Sequence, residues 1–168
     1  MTAFDVLAGA LEDLARAVRP LTRTEYTHRD RATSGSIGAH VRHCLDHVEA
    51  LERALVRGVC CYDDRVRGTA TEDDPAVACA RLAACRMRLS GLDAELLQTP
   101  LTLSAVIDDR GTTVRALTTV GRELAFVISH TIHHAALIAV LLEDFGRERP
   151  ERFGLAPTTP ALEPVCAR

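Results

Sequence analysis

Two groups of histidines are the residues of this chain best suited to carry out chemistry. The first group lies in SIGAHVRHCLDH (residues 36–47) and the second in SHTIHHAAL (residues 129–137). Residues three or four apart share one face of a helix. The histidines that share such a face are His40, His43 and His47 in the first segment and His130 and His134 in the second. Imidazoles that face a protein core need polar partners, and a divalent metal held between two helices would supply them.

Both histidine segments are predicted to be helical, because apolar residues recur around the histidines with helical spacing. The second predicted helix begins near Ser34 or Ser36, both suitable caps, and ends before Gly58. The fourth predicted helix runs from about Thr119 to Phe145. These two helices are expected to pack together, so that three to five imidazoles surround one point.

Two further helices are predicted. The first is capped by Thr2 and ends at Val18, before a proline. The third opens with Asp74 and Pro75 and reaches roughly Gln98. A charged loop is expected between the second and third helices. The helical segments together predict an all-α protein, an antiparallel four-helix bundle whose connections are long enough for a non-sequential arrangement of helices.

One strand motif interrupts this pattern. Apolar residues alternate with polar ones between Pro100 and Thr118, around an Asp-Arg-Gly turn, which predicts a short β-hairpin before the last helix. The length of 168 residues suits a single domain over residues 1–168, with an irregular tail from about residue 147 that holds several prolines.

Composition excludes several classes of function. With 47% hydrophobic and 26% charged residues, the chain has the balance of an ordinary globular protein. A net charge of −3 with both signs interspersed offers no basic surface for nucleic acid. No apolar run reaches the length of a membrane span, and the N-terminus lacks the basic start of a signal peptide. We therefore expect a cytoplasmic protein that acts on a small-molecule substrate and binds neither nucleic acid nor a membrane.

A single histidine on an apolar face is most often a satisfied core or surface group, but two matched groups on two helices favour a metal site. The second group is not a zinc-protease motif, because HTIHH lacks the glutamate that follows the first histidine in HExxH. Glu123 lies on the same stripe as His130 and is either a helix-start carboxylate or a neighbour of the metal.

The paired motifs resemble those of the DinB-like metal-binding four-helix bundles. That family places a histidine on its second helix in a setting like SIGAHVRHCLDH and carries an HxxxH on its last helix like His130 to His134. The resemblance covers the whole chain in helix order. The segments YDDRVRGTATEDDP and FGLAPTTP are similar to ones found in an uncharacterised branch of the family.

The resemblance implies a three-histidine metal site, which maps onto His43, His130 and His134. His43 is preferred on the second helix because it follows the capping serine by about two turns, as the family's ligand does. His40 and His47 share its face, so each is a candidate fourth ligand, a donor that supports a ligand, or a proton shuttle, and we assign them catalytic roles. Zinc is the default metal for an all-nitrogen site, with iron and nickel as alternatives.

The loop after the second helix gives two interpretations. It is either a solvated charged loop or, as the resemblance favours, a binding segment at the mouth of the metal site. In the second case Arg65 and Arg67 would form bidentate hydrogen bonds with a carboxylate or phosphate, with Tyr62 beside them. These three residues are therefore the predicted cofactor-binding residues.

The resemblance also implies the class of function. Relatives include mycothiol-dependent maleylpyruvate isomerases and thiol S-transferases, so we expect thiol-dependent S-transferase or hydrolase chemistry on a small molecule, with a low-molecular-weight thiol as possible cosubstrate. Ergothioneine sulfoxide synthases join a similar bundle to a second catalytic domain, so we do not expect oxidative C–S bond formation from this chain. The alternative is a non-catalytic metal-binding or stress-related bundle that acts through partners. In either case a homodimer could form through an apolar helix face such as Leu82, Leu89 and Leu92.

Overall fold

The computed structural model describes residues 2–30, 33, 35–64 and 68–160 of the chain. Its four long helices are α1 (Ala3–Val18), α3 (Ile37–Arg57), α5 (Pro75–Leu89) and α6 (Val120–Asp144). Three short helical segments are α2 (Arg23–Thr27), α4 (Ala70–Asp73) and a 3-10 helix at Ala94–Gln98. The strands are β1 (Val59–Cys61), β2 (Pro100–Val106) and β3 (Thr113–Thr119).

The long helices form a four-helix bundle with a non-sequential arrangement. The main contacts of α1 are with α5 and α6, and α3 packs against the same two helices. Helices α1 and α3, which follow each other among the long helices, therefore lie at opposite corners. The connections that allow this arrangement contain α2, β1 and α4, and the hairpin.

The helix starts are set by side-chain caps, as the sequence predicts. Thr2 and Asp5 form a reciprocal capping box at α1, and the hydroxyl of Ser36 accepts from the amide of Ala39 at α3. At α6 the Thr119 hydroxyl accepts from the amide of Arg122. These caps satisfy amides that have no partner within their own helix.

The sheet corrects the all-α prediction to a helical bundle that carries a small mixed sheet. The predicted hairpin is confirmed as β2 and β3, which pair antiparallel, with Pro100 opposite Thr119. Strand β1 adds to β2 in parallel, with Cys60 opposite Leu103. The predicted charged loop after α3 is therefore partly structured, since it contains β1 and α4.

The third predicted helix is too long. Helix α5 ends at Leu89 instead of Gln98, because Ser90 and Gly91 favour a turn and the Ser90 hydroxyl donates back to the carbonyl of Arg86. Asp93 then caps the separate 3-10 helix.

The predicted dimer face is also wrong. Leu82 and Leu89 are each 1% exposed and pack into the core of the chain itself, and Leu92 packs against that core. The association of two copies stays a prediction without an assigned face.

Helix α6 is the most apolar of the four long helices. It is long and apolar enough to cross a membrane by length and composition alone, contrary to the prediction that no segment reaches that length. The core helices of soluble proteins can have the same length and composition, so these two properties do not by themselves identify a membrane-spanning segment. In this structure α6 packs against α1 and α3 and carries the second histidine group.

Candidate metal centre

The structure brings both histidine groups together where α3 packs against α6. Buried apolar side chains beside the histidines, Cys44 and Val48 on α3 and Val127 on α6, belong to the hydrophobic core of the bundle in which these two helices pack. The ring centres of His43 and His130 lie 4.9 Å apart, although 87 residues separate them in the chain. All five histidines predicted as site residues thus belong to one cluster.

Two pairs of imidazole nitrogens face each other across the interface between the helices. Nε2 of His43 lies 2.9 Å from Nε2 of His130, and Nδ1 of His40 lies 3.0 Å from Nδ1 of His134. A neutral imidazole has one donor nitrogen and one acceptor nitrogen, so one ring of each pair donates to the other. Nitrogens bound to one tetrahedral metal at 2.0–2.1 Å would be separated by about 3.3 Å. Small movements of the rings would therefore convert such a contact into shared ligation.

The best convergence of ligand atoms is at His43, His47 and His130. One nitrogen from each lies within 4.8 Å of the other two. Nδ1 of His47 lies 2.9 Å from the backbone oxygen of His43, so this nitrogen donates to the carbonyl. That bond fixes the tautomer of His47 with the proton on Nδ1, which is how protein groups commonly orient histidine ligands. His47, which the sequence predicts as a catalytic residue, therefore also has the geometry of a metal ligand.

His134 lies beside this group of three. Its ring centre is 4.6 Å from that of His43 and 4.6 Å from that of His130. On its other side its Nδ1 meets His40, whose own Nε2 is buried and has no hydrogen-bond partner among the described residues. A buried nitrogen without a partner is costly in an apolar core and is the kind of group that a bound ion or water satisfies.

The cluster favours uncharged imidazoles. Burial, and then the nearby histidines His130, His40, His133 and His47, lower the pKa of His134 to about 3. Burial and the neighbouring His133 also lower the pKa of His40. Neutral imidazole is the form that binds metals, so the donor set fits a divalent ion. The same shift makes His40 a weaker proton acceptor, which suits hydrogen-bonding support of His134 better than general-base catalysis.

Tyr62, a predicted binding residue, lies against this cluster. Its ring stacks on His47, with ring centres 4.9 Å apart and an angle of 14° between the planes. Its hydroxyl donates to Oε2 of Glu123 at 2.7 Å, and burial followed by hydrogen bonding raises the pKa of this tyrosine above its usual value. The other predicted binding residues, Arg65 and Arg67, lie outside the described residues.

Phe126 and Glu123 also belong to the surroundings of the histidines. Sequence reasoning did not predict the contact of Phe126 with His130 or the bond of Glu123 with Tyr62. The ring of Phe126 stacks on His130 at 5.5 Å and lies 5.1 Å from Tyr62. Glu123 is fully buried and accepts hydrogen bonds from three side chains at the junction of sheet and helix: Tyr62, Thr118 and Arg122. The available signal was an acidic residue seven positions before His130 on an otherwise apolar stripe.

The fold and the histidine cluster together place this chain in a class of protein: helical bundles with a candidate metal centre between two of their helices. Comparison with known proteins then gives the family. The sequence model of the DinB superfamily matches residues 7–138, and the chain belongs to that superfamily, as the motif resemblance predicts.

Two solved structures share the fold. The DinB-like protein YjoA from Bacillus subtilis has a TM-score of 0.64 and 18% sequence identity, with 90% of this chain and 96% of that chain covered. YfiT from Bacillus subtilis is described as a probable metal-dependent hydrolase with an unusual four-helix bundle topology. It has a TM-score of 0.58 and 17% identity, with 87% of each chain covered. At these identities the likeness establishes the fold only.

One curated relative is much longer than this chain. FK506-binding protein 5 of Rhizopus delemar is 35% identical over 99 residues, which are 58% of this chain and 26% of that protein. The chain therefore spans about a quarter of the length of this relative.

Proposed function

We propose that this chain is a metal-dependent enzyme that holds a divalent ion between α3 and α6 and acts on a small molecule. The observation that carries the proposal is the convergence of nitrogens from His43, His47 and His130 within 4.8 Å of one another. Three neutral nitrogen ligands leave a coordination position for water or substrate, as in catalytic rather than structural sites. The donor set suits zinc, with iron and nickel as alternatives.

His43 and His130 belong to the proposed ligand set in every arrangement. The geometry favours His47 as the third ligand, because one of its nitrogens converges with those of His43 and His130 and its tautomer is fixed by the His43 carbonyl. The family resemblance instead favours His134, whose ring lies beside both common ligands. In the arrangement that we propose, His134 lies against the ligands and is held by His40.

A bound divalent metal would supply a nucleophile near neutral pH, by lowering the pKa of a water or of a thiol. The chain's own residues would hold and cover the reacting groups. The rings of Tyr62 and Phe126 lie against His47 and His130 and exclude water from one side of them. The Tyr62 hydroxyl is already engaged with Glu123, so a cofactor would meet its ring rather than its hydroxyl.

Two chemistries fit this site. YfiT, which shares the fold, is described as a probable metal-dependent hydrolase, and that description supports hydrolysis of a small electrophile. The family resemblance supports transfer of a low-molecular-weight thiol to such an electrophile. In the thiol case we propose that Arg65 and Arg67 bind an acidic group of the thiol or of its acceptor.

A non-catalytic role is the alternative. The similarity to one segment of a much longer curated protein supports a bundle that works as an accessory module, with the metal as a structural or sensing element.

Metal content tests the centre itself. Untagged protein purified without a nickel column should contain one divalent ion per chain by elemental analysis. Replacement of His43 and His130 together by alanine should abolish that content while the circular dichroism spectrum stays helical. His28→Ala is the matched control, because His28 is exposed and its ring contacts Phe145 rather than the cluster. Retention of the full metal content in the double variant would refute the proposed centre.

Turnover separates the two chemistries from the non-catalytic alternative. Metal-loaded protein should consume an activated ester, or an electrophile in the presence of a low-molecular-weight thiol, and the double variant should not. Turnover that requires the thiol assigns a transferase, and turnover in water alone assigns a hydrolase. Stoichiometric metal without turnover on either panel would favour the non-catalytic role.

A further inference from the structure

Glu123 is a fully buried carboxylate at the start of α6. Removal of a carboxylate from water costs several kcal/mol unless hydrogen bonds and a charge partner offset the cost. Here Oε1 accepts from the hydroxyl of Thr118 at 2.7 Å and from Nη1 of Arg122 at 2.9 Å, and Oε2 accepts from Tyr62 at 2.7 Å. A carboxylate satisfied in this way is suited to holding its donors in place.

Two of the three donors come from the small sheet and the third comes from α6 itself. Tyr62 directly follows β1, Thr118 is in β3, and Arg122 is in the first turn of α6. The hydrogen bonds of Glu123 therefore fix the small sheet to the beginning of the helix that carries His130. Among these donors only Tyr62 also reaches the histidine cluster through its ring.

The side chain of Tyr62 makes a contact at each end, one through its hydroxyl and one through its ring. Its hydroxyl is anchored on Glu123, and its ring lies nearly parallel to the ring of His47. Phe126 lies 5.1 Å from the Tyr62 ring, and its ring centre is 6.0 Å from that of His47. Nδ1 of His47 is held separately by the carbonyl of His43. One hydrogen bond and one stacked ring together restrict the orientation of the His47 imidazole, whose ring centre lies 4.2 Å from that of His130.

We propose that Tyr62 and Glu123 are positioning residues that set the orientation of His47 toward the metal. The inference rests on the proposed function, since it takes His47 as a ligand. Glu123 acts at a distance, through the Tyr62 hydroxyl, and neither residue is itself a ligand. Groups that orient a metal-binding histidine commonly change metal affinity by 10- to 100-fold when they are removed.

The first experiment measures metal affinity in Tyr62→Phe, which removes only the anchoring hydroxyl. Competition between the protein and a chromophoric chelator for Zn²⁺ should show affinity about tenfold weaker than in the unchanged protein. The absorption bands of the Co²⁺-substituted variant should also shift, because they report ligand geometry. Tyr26→Phe is the matched control: it removes the hydroxyl of the only other tyrosine, which donates to the Thr71 carbonyl in the core. It should reduce stability but leave both metal readouts unchanged.

A second pair of variants tests the role of Glu123. Glu123→Gln keeps an oxygen that can accept from Tyr62, whereas Glu123→Ala leaves the tyrosine hydroxyl without its acceptor. The Gln variant should therefore retain most of the metal affinity that the Ala variant loses. The nitrogen chemical shifts of the His47 ring, measured by NMR in chelator-treated protein, should follow the same order without any metal present.

A double-mutant cycle decides whether the effect passes through His47. In a His47→Ala background, Tyr62→Phe should have no further effect on Zn²⁺ affinity, because the group that it positions is absent. Full additivity of the two losses, or Zn²⁺ affinity and Co²⁺ bands in Tyr62→Phe equal to those of the unchanged protein, overturns the positioning role while the metal centre stands. Failure of the unchanged protein to bind Zn²⁺ overturns the metal centre and the positioning role together.

Discussion

Burial and mutual proximity keep imidazoles of the histidine cluster uncharged. Burial is the largest cause of the lowered pKa of both His134 and His40, and positive charge on neighbouring rings lowers them further. Each of these rings would have to be protonated against both effects. In the unfolded chain the same histidines have pKa values near 6.5. At acidic pH these histidines bind protons more readily in the unfolded chain than in the folded protein. The protein without metal should therefore become less stable as the pH falls.

The first prediction concerns the pH dependence of that stability. Because the folded pKa of His134 is about 3, its contribution is fully present above pH 6.5 and is lost as the pH falls toward 3. When a histidine is protonated only in the unfolded state, the free energy of unfolding changes by at most about 1.4 kcal/mol per pH unit. The ring of His134 is partly exposed, so its contribution to this slope should be smaller. Urea unfolding in a chelator should show a shallower slope between pH 6.5 and 5 for His134→Gln than for the unchanged protein. Equal slopes would contradict a neutral His134.

Single residues also show what a sequence can reveal about this site. The spacing of His40, His43 and His47 places them on one helix face, so local periodicity was enough to predict the cluster. The bond between Tyr62 and Glu123 joins residues 61 positions apart and has no periodic signal in the chain. Whether His47 or His134 has the better ligand geometry depends on the rotation of the helices about their axes, which spacing alone does not determine.

At the scale of elements, the position of α3 depends on a close approach to α4. A Cβ added to Gly38 would lie 2.1 Å from the backbone oxygen of Glu72 and 2.8 Å from a ring carbon of Tyr26. Beside this contact the buried guanidinium of Arg42 pairs with Asp46 on its own helix and with Glu72 on α4. The first turns of α3, which lead to the histidines, therefore rest directly on the backbone of α4.

Substitution of this glycine tests the close approach. Gly38→Ala should destabilise the protein by about 1–3 kcal/mol, because the methyl group forces the two backbones apart and this outweighs the gain in helix propensity. Gly9→Ala is the matched control in α1, where an added Cβ meets no atom within 4 Å, and it should raise stability by about 0.5–1 kcal/mol. Denaturant unfolding of both variants gives the comparison. A stabilised Gly38→Ala would show that α3 and α4 do not approach closely.

Element boundaries were predictable where they are local. The caps Thr2, Ser36 and Thr119 and the left-handed Gly58 mark helix ends with chemistry that is visible in the neighbouring residues. Strand β1 was missed because it is three residues long and its partner, β2, begins at Pro100, about forty residues further along the chain. Pairing between distant segments depends on the assembled bundle, which a local pattern does not contain.

At the scale of the whole molecule, an ion pair joins two distant parts of the chain. Arg147, just after α6, donates through Nε and Nη2 to the two carboxylate oxygens of Glu25 at 2.8 and 3.1 Å. Glu25 also accepts from the Thr22 amide in the capping box of α2. Further along, Phe153 returns to the core and is 5% exposed. The segment after α6 is thus fixed to the surface of α2 before it covers the bundle.

This ion pair makes stability depend on pH in the acid range. Hydrogen bonds from Arg147 and then from Thr22 lower the pKa of Glu25 to about 2, against an ordinary value of 4.5. The contribution of Glu25 is therefore fully present above pH 4.5 and is lost as the pH falls toward 2. Glu25→Gln keeps a side chain that can serve the capping box but removes the charge. Its urea midpoint should be lower than that of the unchanged protein at pH 7, and the difference should shrink at pH 3.

In an Arg147→Gln background the same substitution should have a smaller effect at pH 7. A difference that is constant from pH 7 to 3 would mean that the charge of Glu25 does not hold the two parts of the chain together.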